Sequence, residues 1–199
     1  MTILNFYVTF LCSWRAGLLD AQAALPGVNL ALELLAGQHL VPTLFVLASL
    51  VGWFAGSGKE HRAVRQQALL RAFLGAALAW VLAVLAGGAA RAALEGLDWT
   101  SEAEVVQCWL GFPFPSVAAA VGFALGAVLW RTDWRWGLAC LVAVAVWTAA
   151  RVFRGLYYPL DVVAGAMIGT LPGWALGWAG WLERPLAAIV RFLQRIALA

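Results

Sequence analysis

Apolar stretches as long as a bilayer is thick, parted by short charged clusters, leave this chain few ways to fold. From Leu40 to Leu182 the charged punctuation falls mainly at 59–71, 91–104, Arg131–Arg135 and Arg151–Asp161. A helix needs about twenty apolar residues to cross the hydrocarbon core. Composition agrees: of 199 residues 64% are hydrophobic and 12% charged, where a soluble domain carries roughly a quarter charged. The expected fold class is therefore an all-α integral membrane protein. Cys12, Cys108 and Cys140 are too few and too widely spaced for a zinc site or a disulfide framework. A net charge of +3, scattered along the chain, excludes a nucleic-acid-binding surface.

The chain divides into three parts. Residues 1–28 hold a short apolar run, Ile3–Trp14, that is read as an interfacial or half-buried helix before the break at Leu25-Pro26-Gly27. It lacks the basic start and small-residue cleavage site of a secretory signal. Residues 29–182 carry five expected spans: Asn29–Gly56, Arg71–Arg91, Pro115–Trp130, Trp136–Phe153 and Asp161–Leu182. Glu33, Gln38 and His39 lie in the first half of span one, either facing protein or sitting in the interface if that span starts at Leu40. Residues 183–199 form a basic amphipathic tail, with Ile189, Phe192, Leu193 and Ile196 on one face and Arg191 and Arg195 on another. That pattern predicts a helix lying along the membrane surface.

Loop charge sets the expected orientation. Lys59, Arg62, Arg65, Arg71, Arg131, Arg135, Arg184, Arg191 and Arg195 share one side, which the positive-inside rule makes cytoplasmic, C-terminus included. Gly165, Gly169, Gly173 and Gly177 recur every fourth residue along span five. They form a smooth face for a close helix neighbour, in this chain or in another membrane subunit. The 12 Trp suit interfacial anchoring, with Trp130, Trp134 and Trp136 near one boundary and Trp99 and Trp109 near the other.

The same topology gathers Arg91, Ser116, Arg151, Arg154 and Asp161 on the opposite face. Arginine donates two parallel hydrogen bonds to a phosphate, and helix N-termini at Ser116 and Asp161 add partial positive charge. These residues read either as an anion site or as interfacial arginines facing headgroups.

Phe-Pro-Ser at 114–116, followed by Ala-Arg-Val-Phe-Arg-Gly-Leu-Tyr-Tyr-Pro-Leu-Asp-Val-Val-Ala-Gly at 150–165, resembles the type 2 phosphatidic acid phosphatase superfamily. Within it, the chain looks most like the small bacterial inner-membrane enzymes acting on undecaprenyl pyrophosphate and related lipids. The resemblance covers about residues 18–182 and implies a site facing the periplasm, no metal and no cofactor. It also implies a nucleophilic histidine where this chain has Tyr157, oriented by the aspartate retained as Asp161. A second histidine, the proton donor, belongs where this chain has Ala118, and Val117 replaces the family's glycine. Arg91 stands near the family's first-motif lysine, with Asp98-Trp99 where Arg-Pro belongs.

Acid–base catalysis contributes 10²–10⁴-fold, and here the nucleophile position is changed as well. The expectation is a non-hydrolytic protein in which Arg151 and Asp161 persist as a structural pair, or Arg151, Arg154, Arg91 and Ser116 still hold a lipid phosphate. It would serve as an accessory or scaffold subunit of a larger membrane complex, docked through the Gly165–Gly177 face. The rival expectations are an active lipid phosphatase using an atypical residue such as Tyr157, and a transporter on the same bundle.

Overall fold

The computed structural model describes residues 13, 17, 32–37, 40–54, 59–95 and 114–197. There the chain is a helical bundle: α1 Leu40–Phe54, α2 Lys59–Glu95, α3 Val117–Thr132, α4 Trp134–Phe153, α5 Pro159–Trp178, a single 3-10 turn Gly180–Leu182, and α6 Glu183–Ala197. Among the described residues three helices, within α2, α4 and α5, are long and apolar enough to cross a membrane, and α1 and α3 are shorter apolar helices. Leu85, Met167, Leu171 and Trp174 stand outward at about 60% exposure. That much apolar surface is costly in water and fits acyl chains.

The helices sit where the apolar runs place them, but α2 differs. Residues 59–71, expected as a basic loop, are its first turns. They contain no Gly or Pro, so nothing stops the helix from continuing past the hydrocarbon edge. At 37 residues α2 is about 55 Å long, well beyond a hydrocarbon core of about 30 Å. In span one, 32–36 is helical and Gly37 interrupts it before α1. The expected segment 1–28, apart from Ser13 and Gly17, lies outside the described residues, as do Gln38, His39, Trp99 and Trp109.

α3 is the hub, packed on α2, α4 and α5. A methyl added to Gly165, Gly169 or Gly173 would overlap the carbonyl oxygens of Ser116, Ala120 and Ala124 respectively. The equal four-residue steps make α3 and α5 parallel neighbours in near-backbone contact. Against α4 the register reverses: Gly122 faces Val144, Gly126 faces Leu141, and Gly137 faces Trp130, an antiparallel pair. Gly75 abuts Val128 and Gly87 abuts Phe114, so α2 is antiparallel to α3 as well. The smooth face of Gly165, Gly169, Gly173 and Gly177, expected to receive another subunit, is thus filled by α3 of the same chain. Small residues let the backbones close, and dispersion between them holds helices that lipid would otherwise solvate equally well.

The tail helix is amphipathic but not simply laid on a surface. Leu182, Leu186 and Val190 are buried as α6 packs against α2. Gln194 Nε2 donates to Gln66 Oε1 at 2.9 Å, and Arg71 pairs with Glu183 at 3.5 Å. Ile189 and Phe192, the expected membrane face, remain exposed. At this end of the bundle the guanidinium of Arg131 stacks 4.4 Å from the Trp178 ring centre.

Candidate functional site

At the other end, α4 stops and α5 and α3 begin. α4 ends because Gly155 takes φ 66, a left-handed conformation that side chains disfavour. Leu156 N donates to Arg151 O at 3.0 Å and Gly155 N to Val152 O at 2.9 Å, the paired bonds of a Schellman ending. Arg151 therefore lies in the last turn, where the negative end of the helix dipole favours a cation.

Arg151 is only 8% exposed. Its guanidinium carbon lies 5.2 Å from the Trp147 ring centre and 4.9 Å from that of Tyr157, within cation–π range. Its Nε is buried and has no hydrogen-bond partner among the described residues. A buried, charged donor without an acceptor is expensive, and the ring faces offset only part of that cost.

The expected structural pair of Arg151 with Asp161 is not formed. Instead, Asp161 Oδ2 accepts from the backbone N–H of Tyr158 at 3.1 Å, and Asp161 is itself 5% exposed. Three residues into its helix, the carboxylate reaches back to the N-cap amide. Local capping, not the arginine, satisfies Asp161.

The two helix N-termini contribute less to an anion site than their dipoles suggest. Pro159 at the start of α5 has no N–H, and the amides of Asp161 and Val162 both donate to Tyr158 O. On α3, Ser116 is 1% exposed. Its Oγ accepts from Ala119 N at 3.3 Å, and its N–H donates to Asp161 O at 3.0 Å. Ser116 thus caps α3 and ties it to α5. The cationic character of this end rests on arginines.

Arg154 meets Glu33 at 3.9 Å, a partnership that sequence spacing did not show, although an acid in an apolar segment signals a nearby cation. Trp147 Nε1 donates to Gly37 O at 3.4 Å, so residues 33–37 reach this end of α4. Arg91 is exposed near the end of α2, one turn beyond Gly87, which touches the Phe114 carbonyl. Ala118 and Tyr157 are half-buried, on the first turn of α3 and beside Arg151. His61 lies at the start of α2, 26 residues and about 39 Å from Gly87 along the helix. It cannot serve this end.

Two proteins of known function match parts of the chain. Over 91 residues it is 35% identical to the bacitracin transport permease protein BcrC of Bacillus licheniformis, covering 42% of this chain and 43% of that protein. Over 69 residues it is 41% identical to the lipid A 4′-phosphatase of Bacteroides thetaiotaomicron, covering 32% of this chain and 29% of that protein. The chain thus spans less than half the length of either relative. No family model matches it, and no solved structure matches it significantly. The two partial similarities support a relationship to the type 2 phosphatidic acid phosphatase superfamily.

Proposed function

We propose that the protein is a membrane lipid-phosphate binder, built on the plan of a type 2 phosphatidic acid phosphatase, that holds its ligand without hydrolysing it. The observation that carries this reading is Arg151: nearly buried, fixed by Trp147 and Tyr157, and with no acceptor for its Nε among the described residues. A phosphate oxygen is the acceptor such a donor lacks. Arg154 and Arg91 at the same end add positive charge. Hydrolysis needs a nucleophile and a proton donor, and where the resemblance expects histidines the chain has Tyr157 and Ala118. In a cell, a binder of this kind would act as an accessory or scaffold subunit in the bacterial inner membrane, its arginine end toward the periplasm.

The similarity to a lipid A 4′-phosphatase favours a second reading, an active phosphatase with Tyr157 as nucleophile. A neutral phenol is a weaker nucleophile than the imidazole the resemblance expects, and the proton-donor position is Ala118, which ranks this reading second. Phosphate release from undecaprenyl pyrophosphate and phosphatidic acid separates the two. The native protein is expected to be silent, and a Val117→Gly/Ala118→His/Tyr157→His variant to gain turnover. Native turnover abolished by Tyr157→Phe would overturn the binding reading in favour of the phosphatase.

A further inference from the structure

Around α6 the side chains divide three ways. Leu186 and Val190, one turn apart, are buried where α6 packs on α2. At about 100° per residue, Ile189 and Phe192 fall to one side of that stripe and Arg184 and Arg191 to the other, all four exposed. Arg184 and Arg191 stand two turns apart, about 10 Å. With Glu183 and Ala187 they line a cleft of about 670 Å³ whose facing wall is Ala63 and Gln67 of α2. Glu183 meets Arg71 at 3.5 Å, so a third arginine offsets its charge and the cleft keeps the positive charge of the other two. Arg191 Nε donates to Ala187 O at 3.2 Å, which steadies the side chain and leaves its terminal nitrogens to donate elsewhere.

The depth of the cleft decides its occupant. Trp178 closes α5 and Trp181 lies in the 3-10 turn before α6, both exposed, and exposed indoles gather at headgroup level. From Gln67 to Gly87, which is beside the arginine end, α2 runs twenty residues, about 30 Å. That is the thickness of a hydrocarbon core, so one headgroup cannot serve both ends. A helix at this depth with an apolar flank and a cationic flank fits acyl chains on one side and anionic headgroups on the other. We infer that α6 and the α2–α6 cleft dock an anionic phospholipid of the leaflet remote from Arg151. Arg184 and Arg191 clasp its phosphate while Ile189 and Phe192 enter the acyl region. The contact is carried into the bundle by Gln194 on Gln66 and by Gln66 Nε2 donating to Trp53 O at 3.4 Å. This surface does not depend on phosphate binding at Arg151. Its lining arginines are exposed, so the headgroup exchanges in detergent and is read by titration rather than by retention.

The experiment titrates the full chain in dodecyl maltoside with dihexanoyl phosphatidylglycerol, dihexanoyl phosphatidylcholine and inorganic phosphate, by calorimetry. Native protein is expected to bind phosphatidylglycerol at least about fivefold more tightly than the zwitterionic lipid. Inorganic phosphate, without chains, should bind at least about tenfold more weakly than phosphatidylglycerol. Arg184→Gln and Arg191→Gln, both at exposed positions that leave the packing intact, should each weaken phosphatidylglycerol roughly fivefold, and together about 25-fold. Ile189→Ser/Phe192→Ser should weaken both lipids and leave inorganic phosphate unchanged. Arg135→Gln, an exposed arginine outside the cleft, should change nothing, and neither should Arg151→Ala. Equal affinity for the two lipids, or a double arginine variant that binds like native protein, would overturn the inference. So would an Arg135→Gln loss as large as that of Arg184→Gln, which would make the attraction a general surface charge. Inorganic phosphate binding as tightly as the lipid would make the occupant a free anion and overturn the leaflet assignment. Phosphatidylglycerol binding lost in Arg151→Ala but kept in the double arginine variant would place the lipid at the arginine end and remove it from α6.

Discussion

Substituting Gly169 tests the packing on which the arginine end depends. A Cβ at this position would sit well inside van der Waals contact distance of the Ala120 carbonyl oxygen, 2.8 Å from its carbon and 3.0 Å from Ala120 Cα. Those contacts are backbone, so no rotamer change relieves them. α3 would have to recede by roughly 1 Å, and it is held by α2 and α4 on its other faces. Overpacking of this kind costs about 1–3 kcal/mol where the surroundings adjust, and the rigid neighbours place Gly169→Ala near 3 kcal/mol. For a chain of this size, each kcal/mol moves the melting point by about 2–4 °C, so a loss of roughly 6–12 °C is expected. Gly88 is the matched control: nothing lies within 4 Å of its added Cβ. There, alanine gains helix propensity of up to about 1 kcal/mol over glycine, so Gly88→Ala is expected to be neutral or slightly stabilising. Thermal unfolding of both variants in one detergent, followed by circular dichroism, reads the difference. A Gly169→Ala protein as stable as its Gly88→Ala counterpart would refute the close α3–α5 register.

Three further perturbations probe separate parts of the account. Gly155→Ala forces an L side chain into the left-handed region at φ 66 and is expected to cost about 1–2 kcal/mol, seen as a lower melting point and weaker lipid retention together. Asp161→Ala removes the acceptor for Tyr158 N and should cost about 1 kcal/mol; Asp161→Asn, keeping an amide oxygen there, should recover most of that in the same melting experiment. Gln66→Leu strands its partner Gln194 at about 1–3 kcal/mol. The Gln66→Leu/Gln194→Leu double variant is expected to be more stable than the sum of the singles, in a double-mutant cycle.

Much of the bundle was legible because apolar run length reports bilayer crossing directly, and α3, α4 and α5 fall within a few residues of the expected spans. Hydropathy locates the lipid-facing part of a helix rather than its ends, which is why the charged turns from Lys59 to Arg71 read as a loop. The glycine period along α5 announced a close neighbour, but a period cannot say which helix, and α3 fills it. The arginine end was legible as a grouping of charges. Its internal wiring was not. Whether Asp161 turns to Arg151 or back to Tyr158 N is a rotamer choice, and the stacking of Arg151 on Trp147 and Tyr157 depends on how α4 ends at Gly155. Glu33 was visible as an acid in an apolar stretch, while its partner Arg154 lies 121 positions away in the chain.

Lipid phosphate retained by the purified protein tests the central claim most directly. Native protein, Arg151→Ala and Arg151→Lys would be extracted in the same mild detergent, and bound phospholipid and polyprenyl phosphate quantified per mole of protein by mass spectrometry. About one phosphate-bearing lipid per native protein is expected from a single Arg151 site. It should be lost in Arg151→Ala and only partly kept in Arg151→Lys, because an ammonium cannot reproduce the guanidinium fork. An identical lipid complement in all three proteins would contradict the account and leave Arg151 a buried structural cation.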